Sequence, residues 1–72
     1  MNSMYRNEIR KYRFLNGEMK QDQLGRLLGL SRQSICEIET GKRMPSLKVA
    51  YKIAKLLNTS IENIFFPDKK SG

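Results

Sequence analysis

Histidine and tryptophan are absent from this chain of 72 residues, which carries a single cysteine and two prolines. Each scarcity removes a class of function. Without histidine the commonest general base and metal ligand is missing. Cys36 alone cannot close an internal disulfide or build a thiolate metal site, so neither metal nor cofactor is expected, and a reducing cytoplasm suits it. No run approaches the ~20 apolar residues of a membrane span, and Met1 to Lys11 holds no hydrophobic signal core. A cytoplasmic protein without membrane association is therefore expected. No segment is repeated or of low complexity. A chain this short buries only ~60% of the surface that its unfolded form exposes. It has material for one small domain but not for a deep, supported cleft, so an enzyme is not expected.

Acid is the other shortage. Asp and Glu number 7 against 14 Lys and Arg, for a net charge of +7. On so small a body that imbalance favours a polyanionic partner, either nucleic acid or an anionic membrane surface.

Strand signals are missing too, since no period-2 alternation is sustained and no hairpin dipeptide separates apolar runs. The apolar positions recur at helical spacing, broken at Asn16-Gly17, Gly29, Gly41, Pro45, Asn58 and Pro67. An all-α fold of five short helices follows. The first runs from about Asn2 to Leu15, with Tyr5, Ile9 and Tyr12 on one face and Asn16-Gly17 as its stop. The second spans Gln21 to Leu28, turns Leu24, Leu27 and Leu28 inward, and ends at Gly29. Ser31 caps the third, Arg32 to Thr40, and Ser46 caps the fourth, Leu47 to Leu57. Ser60 caps a fifth, Ile61 to Phe65, closed by Pro67. Residues 1–8 thus extend the first helix, residues 9–65 form the domain, and residues 66–72 are a tail, frayed from Lys69.

Residues 20–39 carry the most information. Two helices are separated only by Gly29-Leu30-Ser31, the tight joint of a helix-turn-helix. Leu24 and Leu28 must meet Ile35 and Ile38 across a steep crossing, with Leu30 plugging the corner and Gly25 where the backbones come closest. Here Gln21, Gly25, Gly29, Leu30, Ser31, Ile35, Ile38, Glu39, Gly41, Lys42, Pro45 and Leu47 match the pattern of the Cro/cI-type helix-turn-helix regulators, also called the xenobiotic-response-element family. The flanks match as well, through Ile9, Tyr12-Arg13, Ile53-Ala54 and Ile61 to Phe65. The chain resembles that family from Ile9 to Phe65. The resemblance implies a compact five-helix, lambda-repressor-like domain that binds operator DNA, usually as a dimer, with its third helix in the major groove.

The helical wheel agrees on which face is offered. From Arg32 at zero, Cys36, Thr40, Gln33 and Glu37 fall between ~40° and ~140°, while Ile35 and Ile38 lie near ~300° and ~240°. Arg can bridge guanine O6 and N7, Gln can bridge adenine N6 and N7, and Glu can accept from cytosine N4. The wheel and chemistry alone fit base contact and an ordinary solvated face about equally; the resemblance favours base contact by Arg32 and Gln33. A carboxylate beside phosphates is repelled unless it meets a cytosine or a basic neighbour, so Glu37 can act by excluding wrong bases. Cys36 suits a thymine methyl or plain surface better than a redox switch.

Other residues are expected to position the protein on DNA. Gln21 matches the family's phosphate-contacting glutamine, and Lys42 and Arg43 match its backbone-contacting loop, against the alternative of solvated charges. Ser31 can cap and also touch the backbone. The resemblance further implies a structural ion pair between Arg13 and Glu39. Lys48, Lys52 and Lys55 line one face of the fourth helix and read as solubilising.

Three positions depart from the family pattern. Lys20 stands where Ser or Thr normally caps the second helix, at a cost of ~1 kcal/mol, offset if it touches a phosphate. Gly25 replaces alanine, costing roughly 1 kcal/mol of helix propensity unless closer packing offsets it. The loop Asn16-Gly17-Glu18 is one residue longer than in common members, which leaves the placement of Phe14 and Leu15 open. On the fourth helix an apolar arc of ~220° exceeds the ~100° that one core requires. Val49 and Leu56 are then spare, and with Phe65 and Phe66 they are the expected homodimer interface.

The reading that joins these features is a sequence-specific DNA-binding transcriptional regulator, a repressor, whose dimer sets its third helices into a near-palindromic operator of double-stranded DNA. The alternative is an antitoxin or anti-repressor module whose main partner is an unidentified protein. Electrostatic binding to RNA or lipid lacks the interleaved aromatics or the cationic amphipathic helix that it needs.

Overall fold

Ile9, Leu24, Ile35, Ile53, Leu57 and Ile64 are almost wholly withdrawn from solvent, and they come from all five helical segments. One aliphatic cluster thus organises the chain, which is described over residues 5–67 in a computed structural model. The elements are β1 (Tyr5–Asn7), α1 (Ile9–Leu15), α2 (Gln21–Leu28), α3 (Arg32–Glu39), α4 (Leu47–Leu56), α5 (Ile61–Ile64) and β2 (Phe65–Pro67).

Local chemistry sets the helix ends. The hydroxyls of Ser31, Ser46 and Ser60 accept from the backbone N–H of Ser34, Val49 and Asn63, satisfying donors that the first turn leaves free. Gly29 closes α2 at φ 73°, the left-handed region that glycine enters cheaply. At the start of α2, Lys20 has no acceptor to offer, but Gln23 reaches back. Its Oε1 accepts from the Lys20 N–H at 2.9 Å, which is half of a capping box and recovers part of the cost of the lysine.

Two features differ from the sequence expectation. The first is a small antiparallel sheet, β1 against β2, with Arg6 opposite Phe66 and Asn7 opposite Phe65. Strands of three residues are too short to show alternation, and their pairing joins distant parts of the chain. Tyr5 is therefore in a strand rather than on the first helix, which begins at Ile9. Phe65 leaves the fifth helix and Phe66 leaves the tail for β2. Asn7 accounts for the late start of α1: its Oδ1 accepts from the Ile9 N–H, while its Nδ2 donates to the carbonyl of Ile38 at 2.9 Å. Residues 1–4 of the expected helix and 68–72 of the expected tail lie outside the described residues. The second difference is Leu27, which faces solvent while Leu24 and Leu28 pack inward.

The long α1–α2 loop turns through Gly17 and Glu18, both at positive φ. Asn16 does more than end α1, since its Nδ2 donates to the carbonyls of Tyr12 and Leu57 and its Oδ1 accepts from Asn58. It clips the end of α1 to the end of α4. Phe14 and Leu15 are left facing solvent.

Gly25 is where the helix-turn-helix is tightest. A Cβ added there would stand 2.6 Å from the Leu30 carbonyl oxygen, a backbone atom that cannot swing away. The close packing explains why alanine is absent. Gly25→Ala gains about 1 kcal/mol of helix propensity but must open the α2–α3 turn, an overpacking cost of about 1–3 kcal/mol. We expect net destabilisation in equilibrium urea unfolding; an unchanged or raised midpoint would contradict the close approach.

Candidate nucleic-acid interface

The third helix presents two chemistries. Ile35 and Ile38 sit in the core at 1% and 3% exposure, while Arg32, Gln33 and Cys36 are exposed and Glu37 is half-exposed. All four residues singled out for base contact therefore share the open side of α3. Glu37 lies within a small polar network, accepting from Gln33 Nε2 at 3.3 Å and facing Arg43 Nη1 at 3.7 Å.

The residues expected at the phosphate backbone flank this face. Lys20 and Gln21 stand at the amino end of α2, and Ser31 at the amino end of α3. A shallow concavity lined by Arg13, Lys20, Gln21, Asp22 and Arg32 joins the two ends. Lys42 and Arg43 are exposed on the loop that follows α3, and both of their backbone N–H groups donate to the carbonyl of Glu37. Asp22, the one acid lining that concavity, lies 3.4 Å from Arg26 on the next turn of α2. Lys48 and Lys52 lie exposed along α4, and Lys55 stands over the Tyr51 ring at 5.6 Å.

Behind the face, Arg13 and Glu39 form a fork-to-fork pair. Nε meets Oε2 at 2.6 Å and Nη2 meets Oε1 at 3.1 Å, with both side chains 8% exposed. Arg13 Nη1 also donates to the Met19 carbonyl at 2.7 Å. Glu39 Oε1 accepts in addition from Gln21 Nε2 at 3.1 Å, so the amide expected to meet a phosphate is oriented from the protein side. No buried side-chain nitrogen or oxygen among the described residues is left without a partner.

The residues expected at a dimer interface are partly used within the protomer. Val49, Leu56 and Phe65 pack against the core, and Phe66 is half-buried on β2, so Val49 and Leu56 are not spare. The core and the fifth helix use part of the wide apolar arc. What stays open on α4 is Leu47 at 76% and Tyr51 at 55%, with Met44 just before. Sequence reasoning also missed Asn7, whose partners are distant in the chain, and Gln23, whose capping pattern was hidden by Lys20 at the cap position.

Among the described residues no group of His, Cys, Asp and Glu could hold a metal ion, and no helix is long and apolar enough to cross a membrane. Fold and face together define a helix-turn-helix DNA-binding protein. The Helix-turn-helix family model HTH_3 matches residues 9–64, and the chain belongs to this family, the Cro/cI-type transcriptional regulators. It is 48% identical over 60 residues to an uncharacterized HTH-type transcriptional regulator of Methanocaldococcus jannaschii, covering 83% of this chain and 89% of the relative. A Bacillus subtilis relative, the uncharacterized HTH-type transcriptional regulator YgzD, is 32% identical over 92% of this chain and 98% of its own. The crystal structure of a proposed DNA-binding protein from Bacteroides fragilis superposes with a TM-score of 0.77 at 25% identity, over 88% of this chain and 100% of that one. The family is one of DNA-binding regulators rather than of enzymes.

Removing one partner of the buried pair leaves the other charge stranded. Glu39→Ala is expected to cost about 3 kcal/mol in urea unfolding, whereas the double replacement Arg13→Met with Glu39→Leu recovers most of that loss. Equal losses in the single and double variants would show that the pair is not what holds the helices together.

Proposed function

We propose that this regulator is a sequence-specific repressor that works as a two-fold dimer on near-palindromic DNA in the cytoplasm. The observation that carries the reading is the division of α3, with Ile35 and Ile38 in the core and Arg32, Gln33, Cys36 and Glu37 on one open face. That division is what a helix needs to enter a major groove while staying anchored to its domain. In the groove Arg32 forks onto guanine, Gln33 bridges adenine, Cys36 lies against a thymine methyl and Glu37 accepts from cytosine. Lys20, Gln21, Ser31 and Lys42 meet phosphates on either side and set the angle of entry.

The open apolar side chains support self-association. Leu47 and Tyr51 lie one turn apart on α4, and Met44 precedes them, with the half-buried Val49, Leu56, Phe65 and Phe66 nearby in the chain. A dimer across this region sets the two α3 helices about one DNA turn apart, ~34 Å. Repression is favoured because the helix-turn-helix region is nearly the whole of the relatives it matches. A protein of that kind acts most simply by occupying its site.

Selection from random duplexes should enrich a two-fold repeat with half-sites about ten base pairs apart, and no enriched repeat would refute the reading. Arg32→Ala should relax preference at one base pair roughly tenfold and leave the other positions as they were. Equilibrium sedimentation at micromolar concentration should give twice the 8.4 kDa monomer mass. Leu47→Glu with Tyr51→Glu should return the monomer, and an unshifted dimer would place the interface elsewhere.

A further inference from the structure

We infer that Arg43 is a positioning residue for base recognition: it holds Glu37 in the orientation from which that carboxylate selects cytosine. The inference rests on the proposed reading of α3 as the base-contacting helix, and it gives Arg43 a different task from the phosphate contact expected on sequence. Two links join Arg43 to Glu37, through main chain and side chain, and a third joins it to Ser34. The backbone N–H groups of Lys42 and Arg43 both donate to the Glu37 carbonyl, at 2.9 and 3.2 Å, folding the loop back over the end of α3. The guanidinium then faces Glu37 Oε1 at 3.7 Å. The same Nη1 donates to Ser34 Oγ at 3.2 Å, one turn earlier on the helix.

Ser34 is fixed in turn, because the Ser31 hydroxyl donates to its Oγ and its backbone N–H donates to Ser31 Oγ. On the other side of the carboxylate, Gln33 Nε2 donates to Glu37 Oε2. Each Glu37 oxygen thus has its own partner, and the chain of contacts runs Ser31, Ser34, Arg43, Glu37, Gln33.

The chemistry explains how an acid can sit on a surface built for a polyanion. A lone carboxylate there would be driven off by phosphates and would rotate freely. With a guanidinium alongside, its charge is balanced and its lone pairs are directed. Exposed ion pairs of this kind add little to folding stability, and both side chains here are well exposed, at 57% and 35%. The consequence of the contact is therefore in recognition: it fixes Glu37 and, through Glu37, the neighbouring Gln33 amide.

Duplex selection with the full chain and its Glu37→Gln, Arg43→Gln and Arg43→Lys variants, followed by binding across a salt series, tests the inference. Glu37→Gln should alter preference at one base pair. Arg43→Gln should weaken preference about tenfold at that same pair, leaving the other pairs and the salt slope unchanged. The double variant should match Glu37→Gln alone. Arg43→Lys, which keeps the charge without the planar fork, should also lose preference there. If Arg43→Gln instead lowers affinity evenly over all sequences and reduces the salt slope by about 0.9 for each site, Arg43 is a phosphate contact and the inference is overturned. It is also overturned if Glu37→Gln changes no position. Absence of any motif with the unaltered chain defeats the underlying reading of α3, a result distinct from either of these.

Discussion

The bidentate pair of Arg13 and Glu39 is the joint from which the DNA-facing surface hangs. One guanidinium reaches from α1 to the last residue of α3 and to the Met19 carbonyl before α2, and the same carboxylate holds Gln21 at the start of α2. Burying two charges carries a desolvation penalty that well-packed apolar residues would avoid. The pair contributes register instead. Aliphatic contacts tolerate sliding, whereas two parallel N–H···O bonds are satisfied at one relative placement of the helices. In a domain with so small a core, that restriction decides where α3 projects.

Around this joint, main-chain approach and side-chain amides do the remaining positioning. Gly25 lets the α2 backbone come close to the Leu30 carbonyl, which keeps the turn into α3 tight. Asn7 ties the first strand both to the start of α1 and to the end of α3, and Asn16 ties the end of α1 to the end of α4. These contacts satisfy polar groups that the short helices leave open at their ends, where eight-residue elements have proportionally many. The same bonds that terminate the helices therefore also assemble them.

Most of this architecture was legible in the residues themselves, and what was not shares a physical cause. Five helices, their serine caps and the division of α3 follow from local spacing, because the period of a helix and the reach of a cap are short-range properties. Glu39 lay at the edge of the inward face on the wheel, but its partner came from family resemblance rather than spacing. The two strands were invisible because Tyr5–Asn7 finds its strand partner only in Phe65–Pro67, far along the chain. The apolar arc of α4 was legible, but how much of it the protomer itself uses was not. A wheel reports which side chains are apolar but not what they meet: Val49 and Leu56 pack partly against the core while Leu47 and Tyr51 stay open. The contact of Arg43 with Glu37 was illegible for a similar reason: a loop cation looks alike in sequence whether it faces a phosphate or an acid of its own chain.

The positive charge is consequently spent in distinct ways that composition could not separate. Arg13 is buried and paired with Glu39, and Arg26 is set against Asp22. Arg43 faces Glu37, whereas Lys20, Arg32 and Lys42, around the proposed groove-entering face, have no acidic partner among the described residues. A net charge of +7 raises the local concentration of any polyanion, but it cannot distinguish one sequence from another. Discrimination needs donors and acceptors held still, and two of the open polar groups of α3 are braced by neighbours: Gln33 donates to Glu37, and Glu37 faces Arg43, which donates to Ser34.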